Sequence, residues 1–203
     1  MSPASPRRDA THGVARVAPV SDEDYRDIAS RFSVTPSREG STSLLNITKT
    51  WAHHPALMEA QRPYQMHLRN TSVLPRRDQE IVVLRIGWRC GSEYEFGQHA
   101  VRGPEVGLSV EDIVRLTEAS DAPGWDDHDR LLVVVADELY DTNGLSDATW
   151  RSLSGSYDTA QIIELLVLIG RYWTVSIAAN TLRIQLEPGK SGFPETARTD
   201  PVP

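Results

Sequence analysis

The chain has 203 residues, enough for one domain of ordinary size with a substantial core. Its composition is 39% hydrophobic and 24% charged, which is that of a globular chain rather than a disordered one. A net charge of −7 argues against nucleic acid and against an anionic membrane surface, both of which are held by clustered Lys and Arg. Arg residues can still gather locally around a small anionic substrate.

The single cysteine, Cys90, excludes an intramolecular disulfide. The segment from Met1 to Ala15 is rich in Pro, Ser and Arg and lacks the apolar stretch of a secretory signal. The longest aliphatic run, Leu165 to Ile169, is far short of the roughly 20 residues that span a bilayer. A cytoplasmic protein is therefore expected. Residues 1–20 and 190–203 read as flexible tails around a domain at 21–189, because both ends lack periodicity and are rich in Pro, Gly or charge.

Between the tails the pattern is helical throughout. Ser21 with Asp24 opens a short helix to about Phe32, and a Ser/Thr/Gly linker follows. Leu44, Leu45, Ile47 and Trp51 mark a second helix that ends near His53-His54-Pro55, and a third runs from Pro55 to about Leu68. Pro75 starts a helix carrying Ile81, Val82, Leu84, Ile86 and Trp88, which Gly91 ends or bends. Ser92 to Arg102 forms the next, Ser109 with Asp112 caps another through Ala119, and Asp126 to Asp141 and Ser146 to Leu153 follow. Asp158 with Gln161 caps the last and longest, apolar almost all round from Ile162 to Leu182. Such a helix is central or is covered by a partner subunit. With no strand alternation and no internal repeat, the fold class is all-α, with a buried C-terminal helix.

The densest polar constellation is Ser92-Glu93-Tyr94-Glu95-Phe96-Gly97-Gln98-His99. Ser92, Glu95 and His99 fall on one helical face. Glu95 can orient one ring nitrogen of His99 and leave the other for a substrate, which is what general acid–base work asks for. Tyr94 beside them offers a phenolic donor. The same spacing also suits a solvated Glu–His pair with Ser92 as a helix N-cap. His53 and His54 before a proline suit a turn or cap better than ligation, and neither His67 nor His128 has a second ligand at metal spacing. Arg171 and Tyr172 on the last helix can line a pocket or fill core. Asp137 and Glu138 read as a surface pair on their helix.

At these residues the chain resembles the carboxymuconolactone decarboxylase superfamily, which includes alkyl hydroperoxidase D. That family carries a glutamate, then, after eleven residues, a Cys-x-x-Cys-x-x-x-His motif. Here Glu80 is followed after eleven residues by Ser92, then Glu95, then His99, the same frame with both cysteines replaced. The stretches His54-Pro55, Gly107-Leu108-Ser109, Ala136-Asp137-Glu138-Leu139, Leu168-Ile169-Gly170 and Asn180 to Pro188 support the likeness, which covers roughly Asp22 to Gly189.

The resemblance implies an alkyl hydroperoxidase D-like helical bundle that assembles as homo-oligomers, trimers or hexamers, with the active site between the helices of Glu80 and His99. Without the cysteine pair, dithiol peroxidase chemistry is not expected. The decarboxylase branch needs no thiol, metal or organic cofactor. It implies a cofactor-independent lyase acting on a small oxygenated carboxylate, with His99 as the acid, Glu95 orienting it, Glu80 as a second titratable group, and Tyr94 or Ser92 as donors to an enolate oxygen. Arg171 and Tyr172 would bind substrate. A single-cysteine peroxidase using Cys90 and a non-catalytic ligand-binding oligomer stand as alternatives.

Overall fold

The computed structural model describes residues 13–32 and 44–197. The far ends of both expected tails and most of the Ser/Thr/Gly linker lie outside these residues. Nine α-helices are found among them: α1 (Asp22–Arg31), α2 (Asn46–Trp51), α3 (Pro55–Asn70), α4 (Arg76–Arg89), α5 (Glu93–Ala100), α6 (Val110–Arg115), α7 (Asp127–Thr142), α8 (Asp147–Ser156) and α9 (Thr159–Leu182).

The helix starts follow from local chemistry. Ser21 accepts from the Asp24 amide, and Asp22, Glu23 and Asp24 place negative charge at the positive end of α1. His54 caps α3 by accepting the Leu57 amide, with Pro55 in the first turn. Reciprocal capping boxes form at Ser109/Asp112 and at Asp158/Gln161. Helix α6 stops at Arg115, short of the expected Ala119, where Thr117 and Glu118 turn back onto Val114 and Arg115.

Helix α4 is the axis of the bundle, wrapped by α5, α7 and α9. Ile81, Val82, Val83, Leu84 and Ile86 are all essentially inaccessible, so the apolar residues of this helix are covered by neighbours on every side. Arg85 lies in this core with no exposure. Four of its five N–H groups are matched: Nε and Nη2 reach the two Asp137 oxygens at 2.7 Å each, and Nη1 donates to the carbonyls of Leu116 and Glu118. A buried guanidinium left unmatched would be strongly destabilising, so this fork fixes the α4–α7 register. Asp137, expected at the surface, is thus a core partner. Glu138 accepts from the Ser146 amide and the Thr149 hydroxyl at the start of α8.

Helix α9 is long and apolar enough by length and composition to cross a membrane. One side of it, with Ile162, Leu165, Leu168 and Ile169, is core. The other side, with Ile163, Leu166, Val167 and Ile177, lies on the surface of the chain. Of the two explanations for its all-round apolarity, burial by this chain therefore accounts for one face.

The chain stays packed past position 189, where Pro/Gly composition places the domain edge. Phe193 stands edge-on to Trp88 and Phe96, with ring centroids at 4.9 and 5.3 Å. At the other end, Arg16 bonds the carbonyls of Leu182 and Thr181.

Candidate active site

The site is built by the turn between α4 and α5. Gly91 takes φ +62°, a left-handed conformation that reverses the chain within three residues of α4. Gly87 sits at the α4–α5 contact, where an added Cβ would just touch the Phe96 amide at 3.4 Å. Glu80 on α4 and Glu95 and His99 on α5 then converge.

His99 is 3% exposed and is held between two carboxylates. Its Nδ1 is 2.6 Å from Glu80 Oε2, and its Nε2 is 3.0 Å from Glu95 Oε1 and 3.3 Å from Arg102 Nη1. An ionised carboxylate can only accept, so Nδ1 carries a proton toward Glu80 and Nε2 is the nitrogen at which a proton comes and goes. Burial alone would push His99 down. The Glu80 and Glu95 carboxylates outweigh it and raise the imidazole above its ordinary value of 6.5. The Tyr172 ring meets His99 edge-on at 4.9 Å and fixes the plane of the imidazole.

This differs from the expected arrangement in one respect. The sequence places Glu95 on one nitrogen and leaves the other open to substrate. In the structure Glu80 takes the second nitrogen, because α4 and α5 pack so closely. All three groups of this run line the cavity, so what meets a ligand there is a carboxylate beside the ring as well as the ring itself.

The run opens on a cavity of about 660 Å³ between α1–α3 on one side and α4, α5 and α9 on the other. Glu80, Tyr94, Glu95, His99, Arg171 and Tyr172 all line it, so six of the seven expected site residues share one wall system. Ser92 does not. It is fully buried at the N-cap of α5, its hydroxyl without a hydrogen-bond partner among the described residues. Tyr94 lines the cavity, but its hydroxyl is engaged: it accepts from the Ile47 amide at 3.1 Å and donates to Glu187 at 2.9 Å.

Sequence reasoning missed two sets of residues. Arg62, Arg69, Arg76 and Arg102 join Arg171 in the wall, against the carboxylates Glu80, Glu95 and Glu105. The i, i+7 spacing of Arg62 and Arg69 on α3 was a signal for the first pair. Arg171 stacks its guanidinium over the Tyr64 ring at 5.4 Å. The second missed group is Glu187, in the segment after α9. Its carboxylate takes the Asn46 amide (2.7 Å), the Tyr94 hydroxyl and the Gln98 amide, tying α2, α5 and the C-terminal segment together. No local pattern announces it, since its partners are about 90 and 140 residues away.

Cys90 lies outside this cavity wall and is half-buried. Burial pushes its thiol up to about 12, against smaller opposing effects of the Ser176 hydroxyl and Arg89.

No protein-family model and no curated protein matches the sequence. Among solved structures, the chain is similar to a cysteine-to-alanine variant of the debrominase Bmp8 in complex with 2,3,4-tribromopyrrole. The TM-score is 0.68 at 13% identity, over 88% of this chain and 94% of that one. It is likewise similar to an uncharacterized peroxidase-related protein from Silicibacter sp. TM1040, with TM-score 0.67 at 13% identity, over 93% and 97% of the two chains. The chain thus has the all-helical fold shared by the alkyl hydroperoxidase D and carboxymuconolactone decarboxylase-like proteins.

Proposed function

We propose that this protein is a cofactor-independent lyase of the carboxymuconolactone decarboxylase type, acting by acid–base chemistry on an oxygenated carboxylate. The observation that carries the reading is the Glu80–His99–Glu95 run ending in an arginine-lined cavity. Five arginines face three glutamates there, a local positive excess in a chain whose net charge is −7. Such a cavity favours an anion.

The chemistry follows from the positions. The arginines hold the substrate carboxylate. The C–C bond to it breaks, CO2 leaves, and the bonding pair passes into a conjugated carbonyl of the substrate as an enolate. The enolate carbon then takes the His99 Nε2 proton through the Glu95 carboxylate, which passes it on and ends ionised, and the imidazole recovers a proton from solvent. Glu80 stabilises the imidazolium between these events. The substrate supplies its own electron sink, so the scheme calls for no organic cofactor. Tyr172 positions His99, and Arg171 is a carboxylate ligand.

The single-cysteine alternative is less well supported. A peroxidatic thiolate needs a depressed pKa and access to peroxide, and Cys90 has a raised one and no place in the cavity wall. His99→Ala should lower turnover of a responsive oxo- or lactone-carboxylate by about two to four orders of magnitude. Full activity in that variant would sink the assignment.

A second copy of the chain is the proposed partner. Ile163 (58% exposed), Leu166, Val167, Gly170, Thr174 and Ile177 (55% exposed) form a mostly apolar outer stripe of α9 on the surface of the chain. The same stripe on a second copy can cover it in an isologous contact. Light scattering of wild type against Ile163→Lys/Ile177→Lys tests this: the wild type should be a multimer and the variant smaller, and a monomeric wild type would refute it.

A further inference from the structure

Tyr25 has no part in the chemistry above, yet it is the buried residue of α1 and lines the same cavity. It is 1% exposed, and its hydroxyl has no hydrogen-bond partner among the described residues. Desolvating an O–H without a partner is costly, and native chains keep such groups where something else supplies the bond. Burial raises its pKa, so the hydroxyl is a donor at neutral pH. Ordinary packing does not explain it either, because phenylalanine would fill the same volume without that cost.

The surroundings of Tyr25 differ from those of the His99 run. Helices α1 and α2 are joined by the Val20–Lys49 backbone bond and the Lys49–Asp22 ion pair. On this side α2 contributes Leu45, Ile47 and Trp51 to the wall, and Met58 of α3 adds to them. The Glu80–His99–Glu95 run and Arg76, Arg102 and Arg171 belong to other elements, while Arg62 and Arg69 share α3 with Met58. A cavity of about 660 Å³ is in the range that holds a drug-sized ligand and offers far more room than a compact lactone acid needs.

We infer that Tyr25 is a specificity-determining residue, donating its O–H to an acceptor oxygen on the body of an amphipathic acid bound in this cavity. The carboxylate of that ligand lies by the arginines and Glu95, its apolar body lies against Leu45, Trp51 and Met58, and a keto, ether or hydroxyl oxygen meets Tyr25. The inference rests on the anion-binding reading of the cavity given above and names the class of substrate more narrowly.

The test uses the full chain with two probe series, saturated fatty acids and fatty acids carrying an internal ketone, of matched and varied length. Each displaces the fluorescent anion 1-anilinonaphthalene-8-sulfonate. At one chain length the keto acid should bind about tenfold more tightly than the plain acid, because it completes an unmatched buried donor. Tyr25→Phe should reduce that preference to less than about twofold, with plain-acid affinity unchanged and the melting temperature equal or higher, since the unmatched hydroxyl is gone. A merely structural role would lower the melting temperature and leave the ratio alone. Equal affinities for both series at every length, or a preference that survives Tyr25→Phe, overturns the inference. Glu95→Gln run in parallel separates the two claims, since the keto preference does not depend on a proton at Glu95 while turnover does.

Discussion

Replacing Glu80 by Gln removes the charge facing His99 Nδ1 while keeping an acceptor of the same shape. The wild-type bond is 2.6 Å long, nearly buried, and charge-assisted. Bonds of that kind contribute roughly 1.5–3 kcal/mol, and because the Glu80 side chain is 16% exposed the lower part of the range applies, about 2 kcal/mol. In a chain of this size that is a fall of roughly 4–8 °C in Tm. The sign with pH is definite. The pKa of His99 is raised by folding, so its contribution is fully present below the ordinary histidine value of 6.5 and is lost as pH climbs through the higher folded value. Urea denaturation of wild type and Glu80→Gln at about pH 5.5 and about pH 8.5, with NMR titration of the histidine ring protons, reads both effects. The variant should lose more stability at the acidic pH, and its His99 midpoint should fall. Equal losses at both pH values with an unmoved midpoint would refute the ion-pair description.

Two further outcomes follow from close contacts. A Cβ on Gly97 would stand 2.3 Å from the Ser191 carbonyl oxygen, a backbone atom that cannot swing aside, so Gly97→Ala should displace the C-terminal segment and cost about 1–3 kcal/mol by calorimetry. A stability loss under about 0.5 kcal/mol would mean that segment does not press on α5. Cys90, with its thiol raised to about 12, should resist iodoacetamide at neutral pH and stay unmodified by peroxide in intact-mass spectra until the fold is opened with denaturant. Rapid labelling of the native chain would contradict its placement.

Much of this was legible in the sequence where the determinants are local. Capping pairs such as Ser109/Asp112 and Asp158/Gln161 put two partners within one turn, so helix starts could be read within about a residue. The Glu95–His99 pair was legible for the same reason. What spacing could not show was the third dimension. Ser92 shares a face with Glu95 in a helix extended by one residue, yet in the structure it is the N-cap, and that turn buries its hydroxyl. Glu80 was expected opposite His99 but not in contact with it, because the interhelix distance follows from the tight turn at Gly91 and not from the spacing of the acids. Glu187 and the arginine wall depend on contacts between distant segments, and Asp137 was read as surface because its partner, Arg85, is 52 residues away.

The account turns on Glu95 as the carboxyl that hands a proton to the ligand. Glu95→Gln preserves the size of the side chain and its place beside His99 but cannot carry the proton. With a substrate in hand, binding of a non-reacting analogue should stay within about twofold of wild type, while kcat falls by roughly two orders of magnitude or more. A variant that keeps its kcat, or that loses binding with the chemistry intact, would contradict the role given to Glu95.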